Sequence, residues 1–391
     1  MIIDSDKTQI QIIPIVIVIG GGFGGLSAVR KLRANRVRVK IILIDKKNTF
    51  DFLPALPDVI SRRISSQFVQ ADLFKICKHL KCEFFQDEVI EISPESKQVQ
   101  TSKNNFLFDY LVIASGSETN FYGNSGIKNT CVRLDSALDA VNISEKIASE
   151  QYNSVMVVGG GYTGVEVSSQ VCEYFRKKGL NKKVFFLIRG NEPFQFLSPD
   201  QRVYARNNLE KTGVIILLNT QINNIIGNHT ELNDGRIIDN VLVIWTAGVT
   251  PSFFIHKLNA AKDEQGRIKV AQDMSFAPQC FAVGDAAAFD VNGKSLRMAV
   301  HFAESGGRIA AENIINAIKG KPFKNHLPKD LGFVLPMANG FGCGIIFGCA
   351  LAGRIPVFCH YVLCVFKSYG VNKWGILKDL LIPSAKRKMY A

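Results

Sequence analysis

The chain has 391 residues, of which 47% are hydrophobic and 21% charged, so it can form two or three globular domains and is not a disordered chain. Its net charge is +13, and residues 319–391 hold eleven Lys or Arg against Asp330 and Asp379, a basic tail suited to nucleic acid or an anionic membrane surface. Nine cysteines without framework spacing exclude a disulfide-stabilised scaffold and favour the reduced thiols of a cytosolic protein.

Residues 15–25, IVIVIGGGFGG, predict a buried parallel strand that runs into a G-x-G-x-x-G turn and not a signal peptide. A helix is predicted over 26–33 and a second strand over 39–44, closed by Asp45, whose carboxylate can accept bonds from ribose hydroxyls. The order of strand, glycines, helix, strand and acid predicts a dinucleotide site, with the pyrophosphate on the helix N-terminus. A glycine turn without a ligand is the alternative. The turn contributes Gly20, Gly22, Phe23, Gly24 and Gly25.

The loop after Asp45 is rich in aromatic residues and proline, which is unusual for a solvent-exposed loop. Ordinary packing and a position against a flat ligand ring both remain open, with Leu53 and Pro54 as ligand-contacting candidates. Residues 62–80 are predicted to be helical, and residues 83–101 to form strands that turn at Pro94 and Glu95.

Residues 154–166, SVMVVGGGYTGVE, repeat the fingerprint with Gly159, Gly161 and Gly164. Two such motifs, each with its own strand and helix, are far more specific than one. They predict an α/β fold with two Rossmann-like dinucleotide-binding domains, between whose ligands electrons move.

With these motifs, the chain resembles, over most of its length, the two-dinucleotide-binding-domain flavoproteins of the pyridine nucleotide:disulfide reductase superfamily. Three further segments carry the resemblance: ASG at 114–116, VLVIWTAGVT at 241–250 and CFAVGDAA at 280–287. The resemblance implies FAD and NAD(P)H as cofactors. It also implies an FAD-binding domain of residues 1–117 and 251–330, an NAD(P)H-binding domain of 118–250 and a C-terminal membrane-associating region of 331–391.

The same resemblance assigns further cofactor-binding residues. Asp285 would bond the ribityl chain of FAD, although a helix N-cap is its structural alternative. The remaining cofactor-binding candidates are Lys46, Val89, Ala114, Ser115, Gly116, Ala247, Gly248, Val300 and His301.

The second motif also predicts how the nicotinamide is held. Glu166 would lie by the nicotinamide, and Tyr162 and Thr163 would sit between pyridine and flavin, whereas a carboxylate that satisfies the helix dipole is the alternative for Glu166. Arg189 follows the strand 184–188 where the family usually has an acid, and Glu192 comes three residues later. A guanidinium there favours NADPH or weak discrimination, because it can pair with a 2′-phosphate, unless Arg189 simply points to solvent.

The electron acceptor follows from what lies after Asp285. The chain has no redox-active cysteine pair close in sequence, which argues against thiol reduction. The type II NADH:quinone oxidoreductases place an A-Q-x-A-x-Q helix there, and in this chain His301 and Ser305 replace both glutamines. Each can hydrogen-bond a quinone carbonyl, and His301 can also donate a proton, although a core histidine is the alternative.

The tail combines apolar and basic character. Residues 331–353 are uncharged and long enough to span a bilayer, but their glycines, Pro336 and Asn339 favour a hairpin. Residues 355–366 predict an apolar helix too short to cross, followed by Lys367, Lys373, Lys378 and the basic run 386–388. This pattern predicts a peripheral protein on the cytoplasmic side of an anionic membrane. A homodimer interface or a closing subdomain is the alternative; nucleic acid is disfavoured, and no metal site is expected.

We therefore predict an FAD-dependent NAD(P)H:quinone oxidoreductase of the type II kind, as in a respiratory chain. Hydride would pass to FAD and two electrons to a membrane quinone, with no proton pumping. Two alternatives remain open: a sulfide:quinone oxidoreductase, with Cys131 and Cys343 as candidate thiols, and a slow-turnover flavoprotein that acts as a redox-dependent binding factor, similar to the apoptosis-inducing-factor relatives.

Overall fold

The structure, a computed structural model, describes residues 13–366 and 369–381. The chain forms two compact units, each assembled from separate stretches of sequence. The first unit contains residues 13–48, Leu73–Gly116 and Pro251–Pro328. The second contains Thr49–Asp72, Ser117–Thr250 and the described residues from Lys329 onward. The predicted α/β class is confirmed.

A six-stranded sheet forms the centre of the first unit. Its middle strand, Ile15–Ile19, is flanked by two parallel strands, in register with Val16 opposite Ile41 on one side and opposite Tyr110 on the other. Four of its five residues are buried, as expected for a strand covered on both faces. In spatial order the strands are Ser275–Ala277, Cys280–Ala282, Tyr110–Ile113, Ile15–Ile19, Lys40–Asp45 and Glu83–Gln86.

The helices Phe23–Ala34 and Val300–Ile318 of the first unit pack closely against each other. A β-carbon on Gly307 would lie 2.2 Å from the carbonyl oxygen of Gly24, so the two backbones approach as only glycine allows. The Ser27 hydroxyl donates a 2.8 Å hydrogen bond to the carbonyl oxygen of Glu304 across the same crossing. This packing brings the start of the longer helix to the first glycine turn.

Smaller elements complete the first unit. An antiparallel sheet of Val89–Ser93, Gln98–Thr101 and Asn105–Leu107 turns at residues 94–97, where the sequence predicts a turn. The other elements are the helices Leu73–His79 and Phe253–Lys257, the short turn of helix Gly284–Ala286, and the paired strands Ile268–Lys269 with Ala287–Ala288 and Asp290–Val291 with Lys294–Ser295.

The second unit has its own parallel sheet of four strands. In spatial order these are Val214–Leu218, Lys183–Ile188, Ser154–Val158 and Val241–Trp245. All five residues of Ser154–Val158 are buried. Met156, Val158, Leu187, Val243 and Trp245 belong to one hydrophobic cluster that fixes the sheet. The glycine turn at the end of its central strand is therefore held on a rigid base.

Four helices and three small sheets accompany this sheet in the second unit. The helices are Ser125–Thr130, Ala137–Ala148, Tyr162–Lys178 and Pro199–Thr212, and the outer strands are Ile222–Ile226, His229–Leu232 and Ile237–Asp239. Strand Ser117–Thr119 pairs with Val249–Pro251, and Thr49–Asp51 pairs with Gln70–Asp72. Leu53–Ala55, Leu56–Ile60 and Ser66–Phe68 are short helical turns.

The helix predicted over residues 62–80 is wrong for most of its length, because only Leu73–His79 is α-helical. The preceding segment makes contacts that a single helix could not provide. The backbone amide of Ser65 donates a 3.0 Å bond to the Asp379 carboxylate, and Gln70 lies in a strand opposite Asp51. These partners are distant in sequence and outweigh local helix propensity.

The tail folds as a part of the second unit. Gly332–Pro336, Gly342–Ile346 and Cys349–Gly353 form an antiparallel sheet of three strands, as the hairpin prediction implied. The tail helix, Arg354–Phe366, follows, and Lys373–Leu381 is the last helix described. None of the helices within the described residues combines the length and apolar content that crossing a bilayer requires. The predicted basic residues Lys367 and 386–388 lie outside the described residues.

Candidate functional site

The first glycine turn has the geometry of a phosphate cradle. Gly20 has φ +101°, and a β-carbon on it would lie 2.2 Å from the carbonyl oxygen of Ala114. A β-carbon on Gly25 would lie 1.9 Å from the oxygen of Gly20, whereas one on Gly22 would meet nothing within 4 Å. The helix that begins at Phe23 has neither a side-chain cap nor an acid in its first turn, so its N-terminus is suited to binding an anion.

Four predicted FAD segments meet at this turn. A β-carbon on Gly24 would lie 3.1 Å from Val283, 3.4 Å from the oxygen of Ala303 and 3.7 Å from Ala114. The hydroxyl of Ser115 is buried without a hydrogen-bond partner among the described residues, which is costly unless a ligand supplies one. The open face at Gly22 and this hydroxyl both fit the dinucleotide that the sequence predicts here.

Asp45 supports the turn through the backbone. Its Oδ2 accepts the amide of Gly21 at 2.7 Å, and its Oδ1 accepts the amide of Lys47 at 2.8 Å. Burial raises the pKa of the Asp45 carboxyl, and those two hydrogen bonds oppose the shift. Each oxygen keeps a second lone pair, so the predicted bond to a ribose hydroxyl stays chemically available.

The other predicted FAD residues occupy different surroundings. Lys46 is exposed, Val89 is buried at the start of its strand, and Gly116 has φ +67°. Leu53 and Pro54 belong to the second unit, where Leu53 is half exposed. Phe50 and Phe52, in the same loop, are buried, and the Phe50 ring packs edge-on against Tyr369 at 5.8 Å. The structure thus gives the aromatic residues of this loop a packing role.

Asp285 lies inside the short helical turn Gly284–Ala286 and is not the N-cap considered as its alternative. Val300 and His301 begin the helix Val300–Ile318, and the His301 ring contacts the Phe302 ring at 4.0 Å. Ser305 donates a 3.1 Å bond to the Phe302 carbonyl, and Nε2 of His326 lies 3.0 Å from its hydroxyl oxygen. The hydroxyl predicted to bind quinone is thus already held within the first unit.

His326 is a residue that the sequence analysis missed. It is buried, and burial together with the charge of Arg308 lowers its pKa to about 4, so the ring is neutral at physiological pH. No local pattern marks it, because its partner Ser305 belongs to a different element 21 positions away.

The second glycine turn repeats the geometry of the first. Gly159 has φ +119°, and a β-carbon on it would lie 2.7 Å from the backbone of Thr246 and Ala247. A β-carbon on Gly164 would lie 2.1 Å from the oxygen of Gly159, and Gly161 again faces open space. The helix that begins at Tyr162 also lacks a side-chain cap and an acid in its first turn. The turn therefore fits a second dinucleotide.

Aromatic side chains lie around the second glycine turn. Gly248 has φ +104°, and a β-carbon on it would lie 2.3 Å from the Tyr122 hydroxyl. The Tyr162 ring stacks on Phe196 at 4.0 Å and packs edge-on against Phe333 at 5.2 Å. Thr163 is exposed. Phe333, from the tail sheet, is thus a neighbour of the turn that the sequence could not reveal.

Arg189 and Glu192, which follow the same strand, differ in their surroundings. Arg189 is exposed directly after the strand Lys183–Ile188. The Glu192 carboxylate, by contrast, forms a 2.6 Å ion pair with Arg202. The first carboxylate that follows this strand in the sequence is therefore already paired with a cation.

Glu166 is the fifth residue of its helix, so the alternative of an acid serving the first turn is wrong. Burial and the charge of Asp58 raise its pKa to about 8. Gln170, one turn further along, donates a 2.9 Å bond to Asp58. Asp58 and Tyr361, which bonds the same carboxylate, were not singled out by the sequence, because their relation to Glu166 depends on contacts between distant segments.

These two turns define the class of protein. The family of pyridine nucleotide-disulphide oxidoreductases matches residues 14–307, about three quarters of the chain. The chain belongs to this family, and the predicted resemblance is confirmed.

Among its curated relatives are type II NADH:quinone oxidoreductases. The chain is 26% identical to the type II NADH:quinone oxidoreductase of Staphylococcus saprophyticus over 388 residues, which cover 91% of this chain and 96% of that protein. It is 25% identical to the enzyme of the same name from Haemophilus influenzae, over 83% of this chain and 85% of that protein.

Solved structures show the same fold. NDH2 from Plasmodium falciparum in complex with NADH has a TM-score of 0.84 at 17% identity, covering 96% of this chain and 98% of that one. The sulfide:quinone oxidoreductase of Aquifex aeolicus has a TM-score of 0.77 at 18% identity, covering 96% of this chain and 94% of that one.

Proposed function

We propose that this protein is an FAD-dependent NAD(P)H:quinone oxidoreductase of the type II kind. The observation that carries the proposal is the pair of fitted glycine turns, one in each unit, each with an open face and an uncapped helix N-terminus. The relatives of that name, which match nearly the whole chain, support it.

The residues would hold the cofactors as the two turns indicate. Gly20, Gly22 and the helix from Phe23 would bind the FAD pyrophosphate, with Asp285 at the ribityl chain. Gly159, Gly161 and Gly164 would bind the NAD(P)H pyrophosphate. When bound, the flavin supplies the chemistry that accepts a hydride and passes on two electrons, so this chain contributes orientation, electrostatics and exclusion of side reactions.

A quinone is the proposed acceptor, and His301 is the polar residue proposed to meet it. Its position in the first turn of the helix Val300–Ile318 puts it close to the meeting point of the FAD segments. Ser305, already bonded to Phe302 and His326, is the weaker candidate for that role.

The experiment that tests this function is a stopped-flow trace of the purified flavoprotein. Mixing with NADPH or NADH should bleach the flavin absorbance, and a short-chain quinone should then restore it rapidly. A long-lived complex of reduced flavin and nicotinamide would support the binding-factor alternative.

Sulfide oxidation is disfavoured by the state of the thiols. Burial raises the pKa of Cys131 to about 12 and that of Cys343 to about 11, so both remain protonated at neutral pH. A protonated thiol is a poor nucleophile toward sulfur. Bleaching by sulfide, with none by either nicotinamide, would reverse this order.

We also propose that the tail rests on the cytoplasmic surface of an anionic membrane. Apolar side chains on the tail face solvent, with exposed fractions of 66% for Ile355, 70% for Phe358 and 71% for Trp374. Lys373 and Lys378 lie close to Trp374 in sequence. Apolar side chains fringed by lysines favour the interface of anionic lipid.

Flotation with vesicles tests the lipid proposal. The protein should float with vesicles that contain an anionic lipid and float less with zwitterionic vesicles or at high salt. The alternative is that the same side chains join two copies of the chain. Sedimentation of the lipid-free protein as a dimer, with no flotation, would support that alternative.

A further inference from the structure

Asp58 is the centre of a buried polar cluster in the second unit. It is 3% exposed and lies in the helix Leu56–Ile60. Its Oδ1 accepts a 2.9 Å bond from the Gln170 amide and a 2.9 Å bond from the Tyr361 hydroxyl. Arg63 lies 3.4 Å from the same oxygen. Burial raises the pKa of the Asp58 carboxyl, and the charge of Arg63 together with these hydrogen bonds opposes that shift and favours the ionised form.

Tyr361 connects the cation to the carboxylate. Its hydroxyl accepts a 2.8 Å bond from Arg63 Nη1 and donates to both carboxylate oxygens of Asp58, at 2.9 and 3.2 Å. The Arg63 guanidinium also lies over the Tyr361 ring, 4.8 Å from its centre. Tyr361 belongs to the tail helix Arg354–Phe366, so the tail completes the shell of donors around Asp58.

Glu166 has no comparable shell. Among the residues that the structure describes, no group donates a hydrogen bond to its carboxylate, and Asp58 is the charge that acts on it. Arg63 supplies one positive charge beside Asp58. Since like charges close together disfavour joint ionisation, the pair favours a state in which one of the two acids keeps its proton.

The neighbouring elements add little charge to this pair. From the tail helix, His360 faces Arg63, and burial together with that cation lowers the His360 pKa to about 4, so its ring is neutral. The helix Ala137–Ala148 packs against the helix Leu56–Ile60. Its Ser144 accepts a bond from Arg62, and its Glu145 lines a cleft together with Val59 and Arg62. Glu173 is engaged by Arg176 and Lys177 on its own helix.

We propose that Asp58 and Tyr361 are positioning residues that make Glu166 the proton-carrying member of a pair of carboxyl groups. The tail thereby determines the charge at the second glycine turn, within the function proposed above. With its donors in place, Asp58 keeps the negative charge and Glu166 is neutral. Without the Tyr361 hydroxyl, Asp58 holds its charge less well, and Glu166 ionises at lower pH.

The tail helix therefore has an inward-facing and a solvent-facing side with different roles. Tyr361 reaches inward to Asp58, whereas Ile355 and Phe358 on the same helix face solvent. A movement of the helix that moved Tyr361 away from Asp58 would therefore also change the charge of Glu166.

Infrared difference spectroscopy of the full-length flavoprotein tests the proposal without any substrate. The C=O band of a protonated carboxylic acid should disappear with a midpoint near the Glu166 pKa of about 8. Glu166→Gln should remove that transition. Asp58→Asn should move the midpoint down by about one pH unit or more, and Tyr361→Phe should move it in the same direction by less. Tyr152→Phe, which removes a tyrosine hydroxyl outside this cluster, should behave as the wild type.

Two results would overturn the proposal: a transition that persists in Glu166→Gln, or midpoints that Asp58→Asn and Tyr361→Phe both leave unchanged. If Asp58→Asn does not fold, Tyr361→Phe alone decides between these outcomes, since it removes one oxygen from a tyrosine that is not fully buried. The measurement needs neither nicotinamide nor quinone. A protein that shows the transition but fails the stopped-flow test would therefore contradict the proposed function and leave this inference standing.

Discussion

The two glycine turns have nearly the same backbone and very different surroundings. Each has a glycine with strongly positive φ pressed against a neighbouring backbone and a glycine that faces open space. The first turn is supported by residues of its own unit, with Asp45 bonded to two amides. The second has an exposed Arg189, a partly buried Glu166 and contacts from the tail. A repeated motif thus specifies the shape of a binding site, and distant segments specify its chemistry.

The largest expected effect is the loss of a different cofactor when each glycine turn is altered. Gly20→Ala places a methyl group 2.2 Å from the Ala114 oxygen and should yield a colourless protein, because the FAD cradle cannot form. Gly159→Ala, 2.7 Å from the backbone of Ala247, should keep the yellow colour and lose NAD(P)H binding. Absorbance spectra and calorimetric titration measure both effects.

Gly126→Ala is the matched control, since its new methyl group would meet only the Asn124 side chain at 3.3 Å. A protein that loses its flavin through Gly159→Ala, while Gly20→Ala stays yellow, would reverse the assignment of the two ligands.

The second prediction tests what the tail adds. Ile355→Ser combined with Phe358→Ser removes two exposed apolar side chains that would be buried in lipid. Binding to anionic vesicles should weaken by at least about 100-fold, because each of the two side chains contributes roughly 1.5–3 kcal/mol when fully buried. Leu138→Ser changes an equally exposed leucine outside the tail and should have no effect. Equal flotation of all three proteins would remove the tail from the membrane contact.

The third prediction concerns stability and pH. Glu166 has a pKa of about 8 in the folded protein and an ordinary value near 4.5 unfolded, so the unfolded chain binds fewer protons between these limits. The free energy of unfolding should fall as pH rises through this window and level off above it. In Glu166→Gln that fall should be smaller, as denaturant titrations across the window would measure. An unchanged slope would mean that Glu166 is ionised in the folded state.

The smallest expected effect is on the choice of nicotinamide. Arg189→Ala should lower kcat/KM for NADPH by about tenfold and leave NADH nearly unchanged, because it removes a partner of the 2′-phosphate. Lys183→Ala, a loss of charge at the other end of the same strand, is the control. A strong preference for NADH in the wild type, retained in Arg189→Ala, would show that Arg189 does not read the phosphate.

Much of the fold was predictable because its signals are local. Runs of buried β-branched residues before glycine clusters predicted both central strands and both turns, and the glycine-rich stretch after residue 331 predicted a hairpin. The prediction failed at residues 62–80, where local polarity suggested a helix. Partners such as Asp51 and Asp379 decided the backbone there.

The candidate site was predictable only in part, because local motifs can be recognised in the sequence and contacts between distant segments cannot. The glycines, Asp45 and the turn at Asp285 follow from motifs. The hydroxyl of Ser305, however, could be seen to face His326 only in the folded unit. Asp58 does not belong to any sequence motif, because its role depends on residues from distant segments that contact it.

By itself, the sequence determined the two strand–turn–helix motifs, the family and the order in which its segments occur, because these depend on residues within a few positions of each other. Only the tertiary structure decided the charge at the second turn. The Gln170 bond to Asp58 spans 112 positions and the Tyr361 bond spans 303. Burial and the proximity of a like charge set the protonation of a carboxyl group, and both arise only when such distant segments pack together.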